Sequence, residues 1–254
     1  MGIKTRAAQR VARALQTRGV VVSREFGSDL SPESVATIKF VRPYTMTTVQ
    51  RIEAVISATR HVVAHEIPGA FVESGVWMGG SIMAAARTLV ELGDTDRDLY
   101  LYDTFEGLPE PGEHDGITGA TQSASEIFAD LNAATGDKPY LEAPIDVVRA
   151  NVASTGYPLE RIHTIAGLVE DTIPSTAPES VAFLRLDTDW YSSTKVEMET
   201  LFPRLSPSGI LIVDDYGFTD GARKAVDEYF ETYPHPTYLH RIDASGRLVV
   251  KPNA

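Results

Sequence analysis

From residue 70 onward the chain alternates short, continuous apolar runs with longer amphipathic ones. Five runs read as buried strands: "GAFVESGVW", "DLYLYDTF", "RIHTIAGL", "VAFLRLDTD" and "GILIVDDY". Their apolar positions are consecutive rather than alternating, which is the pattern of a parallel sheet covered on both faces, and helix-like segments separate them. One such segment, "SIMAAARTLVEL", opens at Ser81 and stops before Gly93, both conventional cap positions. Another is expected from about Thr194 to Phe202, and a third from near Asp220 to about Tyr233. "TYLHRID" and "RLVVKPN", parted around Ser245 and Gly246, read as a closing hairpin, so the sheet is expected to finish antiparallel.

Upstream the pattern changes. Helical periodicity over residues 5–17 and 46–66 flanks a polar stretch, "SREFGSDLSPESVATIKFVRPYTMTT", that shows no clear period. Residues 1–68 are therefore expected to form a helical cap and arm on the ligand side of the sheet, and residues 69–254 the α/β domain. Inside that domain "LPEPGEHDGITGATQSASEIFADLNAATGDKP" is irregular and long for a connection between strands. Loops of that size are functional lids or disordered, so residues 106–140 are read as a lid beside the acceptor.

Composition narrows the function. A chain of 254 residues, 43% of them hydrophobic, can build one large α/β domain with a small appendage. The formal net charge of -12 argues against nucleic acid and anionic membranes as partners, because such binding needs Lys and Arg to neutralise phosphates. With no cysteine, disulfides and thiolate-bound metals are excluded, and any metal must be held by oxygen or imidazole. No stretch approaches the ~20 apolar residues of a membrane span. The basic, amphipathic N-terminus, with Val11, Leu15 and Val20 among Arg6, Arg10, Arg13 and Arg18, lacks the apolar core of a secretory signal. It reads as a cationic surface or interface helix of a cytoplasmic protein.

Ligands of open parallel sheets bind beyond the carboxyl ends of the strands, so those ends carry the candidate chemistry. The first strand runs into Glu73, Ser74, Gly75, Trp77, Gly79 and Ser81, and the second ends at Asp103. The glycines allow a tight turn with close backbone approach to a ligand, and Asp103 stands where a carboxylate can accept hydrogen bonds from a ribose diol. The spacing E-x-G-x-x-x-G-G is not that of a dinucleotide turn, and Glu73 would repel phosphates but suit a cationic centre. The fourth strand ends in Asp187-Thr188-Asp189 and the fifth in Asp214 and Asp215. Neighbouring strand ends lie ~5 Å apart, so Asp187, Asp214 and Asp215 would repel one another unless something positive stood between them. A hard divalent cation such as Mg²⁺ is one answer; the other is that each aspartate caps a helix or binds loop amides. "DTD" also fits the D-x-D pattern of metal-dependent nucleotide-sugar transferases, and Asp187 and Asp189 share a face if the strand persists that far. Trp190 can lie flat beside a nucleoside, and His163 reads as a packed, hydrogen-bonded histidine.

The stretches "TMTTVQRIEAV", "IPGAFVESGVWMGGSIMAAAR", "LYDTFEGLPEP", "IAGLVEDTIP", "LRLDTDWYSSTKVEMETLFPRLSPSGILIVDDYG" and "ARKAVDEYF" resemble the macrocin and mycinamicin O-methyltransferases that modify antibiotic sugars. The resemblance covers about residues 43–250. It implies a Rossmann-like class I S-adenosylmethionine-dependent methyltransferase with seven strands in the order 3-2-1-4-5-7-6. Carried over residue by residue, it implies cofactor contacts at Glu73, Gly75, Asp103 and around Gly167; Ser74, Trp77, Gly79 and Ser81 of the same turn, and Trp190, are expected to join them. It also implies Mg²⁺ ligands at Asp187, Asp214 and Asp215, with Asp187 as the base. Where the family's turn commonly has Arg after the Trp, this chain has Met78. A small-molecule glycoside is the expected acceptor, and a homo-oligomer joined through the N-terminal arm the expected assembly. The other readings are a glycosyltransferase built on residues 187–189 and a non-catalytic nucleoside-binding subunit.

Overall fold

The computed structural model describes residues 26–253. Five parallel strands, β1 (Ala70–Ser74), β2 (Leu99–Asp103), β3 (Ile162–Ala166), β4 (Val181–Leu186) and β5 (Leu205–Val213), take up the five apolar runs. β6 (His240–Arg241) and β7 (Arg247–Val250) form the closing hairpin, and β7 inserts antiparallel between β5 and β6. The sheet order is β3-β2-β1-β4-β5-β7-β6, as the resemblance implied. The order in which successive strands are added reverses between β1 and β4, which is where a ligand crevice opens.

Helices cover both faces. α1 (Pro32–Val41), α2 (Val49–Ala64), α3 (Gly80–Leu92) and α5 (Ile145–Ala153) enclose one core with Phe71, Leu99, Leu101, Phe183 and Ile212. α6 (Val169–Thr176), α7 (Tyr191–Thr200) and α8 (Asp220–Thr232) enclose a second with Val72, Tyr102, Leu184, Leu211 and Val213. The alternation of Phe71 with Val72, and of Phe183 with Leu184, is the period-2 facing of a strand buried on both sides. α4 (Ala124–Thr135) stands apart in the connection after β2. None of the described helices is long and apolar enough to cross a membrane.

Two segments read as irregular are partly helical. α1 arises inside the stretch without a visible period because Ser34 and Thr37 occupy buried positions beside Ile38 and Val41, so its inward face is half polar in sequence. Ser31 caps it, accepting from the Ser34 amide at 3.1 Å, and Pro32 opens it. α4 interrupts the expected lid loop and is started by a reciprocal capping box between Ser123 and Glu126. The helix expected from Thr194 begins three residues earlier, at Tyr191. The helical pattern over 5–17, and the arm as a whole, lies outside the described residues.

Register decides where the chemistry falls. Ser74 pairs with Leu186, and Leu186 with Val213, so β1, β4 and β5 end level. The Asp187 amide still donates to the Ser74 carbonyl at 3.0 Å and the Asp214 amide to the Leu186 carbonyl at 2.9 Å, which brings both aspartates to one rim. Phe183, at the centre of the sheet, stacks on Phe71 with ring centroids 5.1 Å apart. Phe183→Ala is expected to lower unfolding free energy in urea by ~3–5 kcal/mol, the range for emptying a buried aromatic site; a loss below ~1 kcal/mol would contradict this packing.

Candidate active site

At the crevice between β1 and β4 lies a cavity of about 690 Å³. One wall is the turn that follows β1. Gly75 has φ +75°, and a Cβ there would collide with the Asp187 carbonyl, so only glycine lets this turn press against the end of β4. Trp77, at φ +45°, adopts a left-handed conformation costly for its type and donates its amide to Asp103 Oδ2 at 2.8 Å. Asp103 Oδ1 accepts the Phe105 amide at 2.8 Å, so this carboxylate braces two loops while still facing the cavity. Glu73, Gly75, Trp77, Ser81, Asp103, Gly167 and Trp190 all line the cavity. Ser74 and Gly79 do not: Ser74 turns toward α7, and Gly79 caps α3 against Val152.

The opposite wall comes from the lid and from the end of β4. Trp190 is 6% exposed and donates its indole N–H to the Pro109 carbonyl at 2.8 Å, pinning the lid to the turn after β4. Asp115 accepts the Tyr191 amide at 2.8 Å and Thr118 donates to Asp220 at 2.8 Å, which ties the lid to the starts of α7 and α8. Ile127, Phe128 and Leu131 of α4 give this side of the cavity an apolar surface. His163 lies outside it, half-exposed on the edge strand β3, with Nε2 2.9 Å from Asp98 Oδ1 and its ring stacked on Tyr100.

Asp187, Asp214 and Asp215 each offer a carboxylate oxygen, and these atoms lie within 4.8 Å of one another. Asp189 does not join them on one face. β4 ends at Leu186 and Asp189 takes φ +66°, so the chain has left the strand before the alternation can bring Asp189 back. It still lines the cavity, and its carbonyl accepts from Thr219 Oγ1 at 2.6 Å.

Part of the positive charge that the aspartates require is already in the protein, in two residues the sequence reading passed over. Arg185, 2% exposed, reaches Glu73 Oε1 at 2.7 Å and Asp187 Oδ2 at 2.8 Å with Nη1, while Nη2 lies 2.7 Å from Asp214 Oδ1. Glu73, read as the partner of a cationic ligand, thus already has a cation against it. Arg51 of α2 pairs with Asp214 Oδ2 and, through Nε, with Asp243 at 2.9 Å.

Two guanidinium groups do not neutralise Glu73, Asp187, Asp189, Asp214 and Asp215. Burial pushes Glu73 and Asp189 up to about 8 and Asp187 to about 6, and holds Asp215 well above the carboxylate range, with the neighbouring carboxylates adding to each. Glu73 Oε2 and Asp215 Oδ2 are buried without a hydrogen-bond partner; Asp214 Oδ1 has none either, its 2.7 Å approach to Arg185 being a close ion pair off the hydrogen-bond direction. Buried unpartnered carboxylate oxygens around a shared space are the donor set of a hard divalent cation, and Asp187, Asp214 and Asp215 fit it. A further buried acid, Glu197 on α7, stands behind the rim. Burial pushes it to about 8, and Thr188 Oγ1 donates to it at 3.1 Å.

A doubly covered sheet in this strand order, with a glycine turn after β1 and an acid at the end of β2, defines a class I methyltransferase. The sequence profile of the macrocin-O-methyltransferase (TylF) family matches residues 5–250, and the chain belongs to that family. It is therefore an S-adenosylmethionine-dependent O-methyltransferase. It is 35% identical to the 8-demethyl-8-(2,3-dimethoxy-alpha-L-rhamnosyl)-tetracenomycin-C 4'-O-methyltransferase of Streptomyces olivaceus, over 80% of this chain and 74% of that one. It is 27% identical to the mycinamicin III 3''-O-methyltransferase of Micromonospora griseorubida, over 80% and 76%. The solved structure of the O-methyltransferase NovP superposes with a TM-score of 0.71 at 29% identity, covering 83% of each chain. The glycosyltransferase reading of residues 187–189 finds no support among these relatives.

Two stability predictions follow from the buried charges. Arg185→Met leaves Glu73, Asp187 and Asp214 without their shared cation and should destabilise the metal-free protein by ~3–5 kcal/mol, less at pH 5 than at pH 8, as read by denaturant unfolding. Glu197 keeps its proton in the folded state up to about pH 8 but loses it near pH 4.5 when unfolded. The folded state then binds more protons, so stability falls as pH rises through that window, at up to ~1.4 kcal/mol per pH unit. Glu197→Gln should flatten the stability–pH curve by about one proton; an unchanged slope would contradict the assignment.

Proposed function

We propose that the protein methylates a hydroxyl on the sugar of a glycosylated small molecule, with Asp187, Asp214 and Asp215 holding Mg²⁺ and Asp187 taking the hydroxyl proton. The observation that carries this reading is the convergence of those three carboxylates on a cavity whose facing wall is the turn after β1. S-adenosylmethionine supplies the electrophilic methyl group, and Mg²⁺ lowers the pKa of a hydroxyl that is otherwise too weak an acid to react at neutral pH. The chain's own residues do the rest. The turn around Gly75 and Trp77 and the Asp103 carboxylate orient the donor. Trp190 and the lid exclude water. Asp187, raised by burial to about 6 in the metal-free protein, lines the cavity, where its carboxylate can accept the hydroxyl proton.

The acceptor reading draws on two supports. Relatives in the family are named for methylating sugars on tetracenomycin and mycinamicin scaffolds. Among the described residues that line the cavity, the cations are Arg51 and Arg185, both tied to carboxylates, so these residues offer a diphosphate-linked sugar no free side-chain cation. An uncharged glycoside suits the apolar surface of α4, entering between residues 44–47 of the N-terminal cap and the lid. We take the enzyme to be cytoplasmic, and homo-oligomeric through its basic amphipathic N-terminus, whose pattern of Val11, Leu15 and Val20 among arginines supports an interface.

The test is transfer of labelled methyl from S-adenosylmethionine to 8-demethyl-8-(2,3-dimethoxy-alpha-L-rhamnosyl)-tetracenomycin C and to mycinamicin III. EDTA should abolish transfer and Mg²⁺ restore it. Asp187→Asn should lower kcat by ~10²–10⁴, the usual yield of general-base catalysis, with S-adenosylhomocysteine affinity within a few-fold of wild type. Full activity in EDTA, or a fully active Asp187→Asn, would sink the metal and base assignments.

A further inference from the structure

Glu197 is fully buried on α7, on the face of the sheet opposite to Glu73 and Arg185. No cation among the described residues contacts it, and an apolar side chain would fill the position without the cost of burying a carboxyl group. Its partners explain its presence. Thr188 Oγ1 lies 3.1 and 3.2 Å from the two carboxyl oxygens, and the Ser74 side chain lies beside the same carboxyl group, its hydroxyl donating to the Arg185 carbonyl at 3.5 Å. Ser74 is the last residue of β1, directly before the turn that receives the methyl donor. Thr188 sits between Asp187 and Asp189. One side chain therefore grips the carboxylate turn and abuts the end of β1.

The other side of the same junction is backbone. The Asp187 amide donates to the Ser74 carbonyl at 3.0 Å, and the Asp187 carbonyl presses on Gly75 so closely that no Cβ is accommodated. The Thr188 carbonyl accepts the Trp190 amide at 2.8 Å, which closes a tight turn carrying Asp189 at φ +66°. A non-glycine residue in that conformation is held by its surroundings rather than by its own preference. Residues 187–189 are thus clamped between Gly75 in front and Glu197 behind.

We propose that Glu197 is a positioning residue: by holding Thr188 against the end of β1 from the far face of the sheet, it sets the Asp187 carboxylate against the donor turn. It touches neither substrate nor cofactor. The inference rests on the methyltransferase reading above and adds the device that couples its two half-sites. Small displacements matter here, because in-line transfer depends on reacting groups held to a fraction of an ångström.

The experiment measures the affinities of the full-length protein for S-adenosylhomocysteine and for Mn²⁺ by calorimetry. Glu197→Ala should weaken both by about 5–20-fold, of the order expected for losing hydrogen bonds to a buried group. Glu197→Gln, which keeps the shape and an acceptor oxygen, should stay within about twofold of wild type in both. Thr188→Val should lose mainly Mn²⁺ affinity and Ser74→Ala mainly S-adenosylhomocysteine affinity. Val226→Ala, a core truncation on α8 that removes none of the hydrogen bonds to Glu197, should lower the melting temperature and leave both affinities intact. The proposal is overturned if Glu197→Ala binds both ligands as wild type does, or if Val226→Ala reproduces its losses. Should Glu197→Ala not fold, the split between Thr188→Val and Ser74→Ala decides, and its absence counts against the clamp. Wild-type protein that binds no S-adenosylhomocysteine would instead refute the reading of the site itself.

Discussion

Everything at this site depends on a single buried guanidinium. Arg185 lies within β4, where a charge with no partner is not tolerated, and it is stable there because β1 and β5 bring Glu73 and Asp214 to either side of it and Asp187 follows it in its own strand. The register of three parallel strands is what makes that possible. Arg185 pairs across the sheet with Glu73 on one side and Ile212 on the other, so a slip of one residue would strand the cation among aliphatic groups. Charge complementarity and sheet register specify each other.

The same arrangement accounts for the excess of acid at the rim. Arg185 and Arg51 hold the carboxylates in place without satisfying them, and one oxygen each of Glu73, Asp214 and Asp215 stays buried with no hydrogen-bond partner. A cluster organised by resident cations, with charge left over, would take the proposed divalent ion without having to collapse around it. The lid is built to the same end, since its bonds from Pro109, Asp115 and Thr118 run to Trp190, Tyr191 and Asp220, at the starts of the helices that follow the acidic strand ends. The turn after β1, the carboxylate rim and the connection that carries α4 are mechanically one unit.

Much of this was legible in the chain, and the parts that were not have physical reasons. Continuous apolar runs announced the parallel strands, and their acidic ends announced the crevice. Arg185 was hidden by its surroundings: one arginine in "VAFLRL" does not alter an apolar run, and its meaning appears only when the neighbouring strands are in register. Glu197 is similarly silent, a polar residue on a helix whose inward face is not otherwise marked. α1 escaped because Ser34 and Thr37 fill apolar positions, although Ser31-Pro32 spelled its start. α4 was signalled by Ser123 and Glu126, but the polar sequence around that capping box obscured it. Asp189 would share a face with Asp187 only if β4 persisted that far, and no pattern in the sequence foretells the left-handed turn that ends it.

The account's central claim is that the three aspartates form one cation site beside the donor turn, with Arg185 as a permanent structural counter-ion. Anomalous diffraction at the manganese edge, from crystals grown with S-adenosylhomocysteine and Mn²⁺, tests it most directly. The account predicts one peak bounded by Asp187, Asp214 and Asp215, with Arg185 still bound to Glu73. A fully occupied donor site with no manganese density among those aspartates, or with Arg185 displaced from Glu73 by the ion, would contradict it.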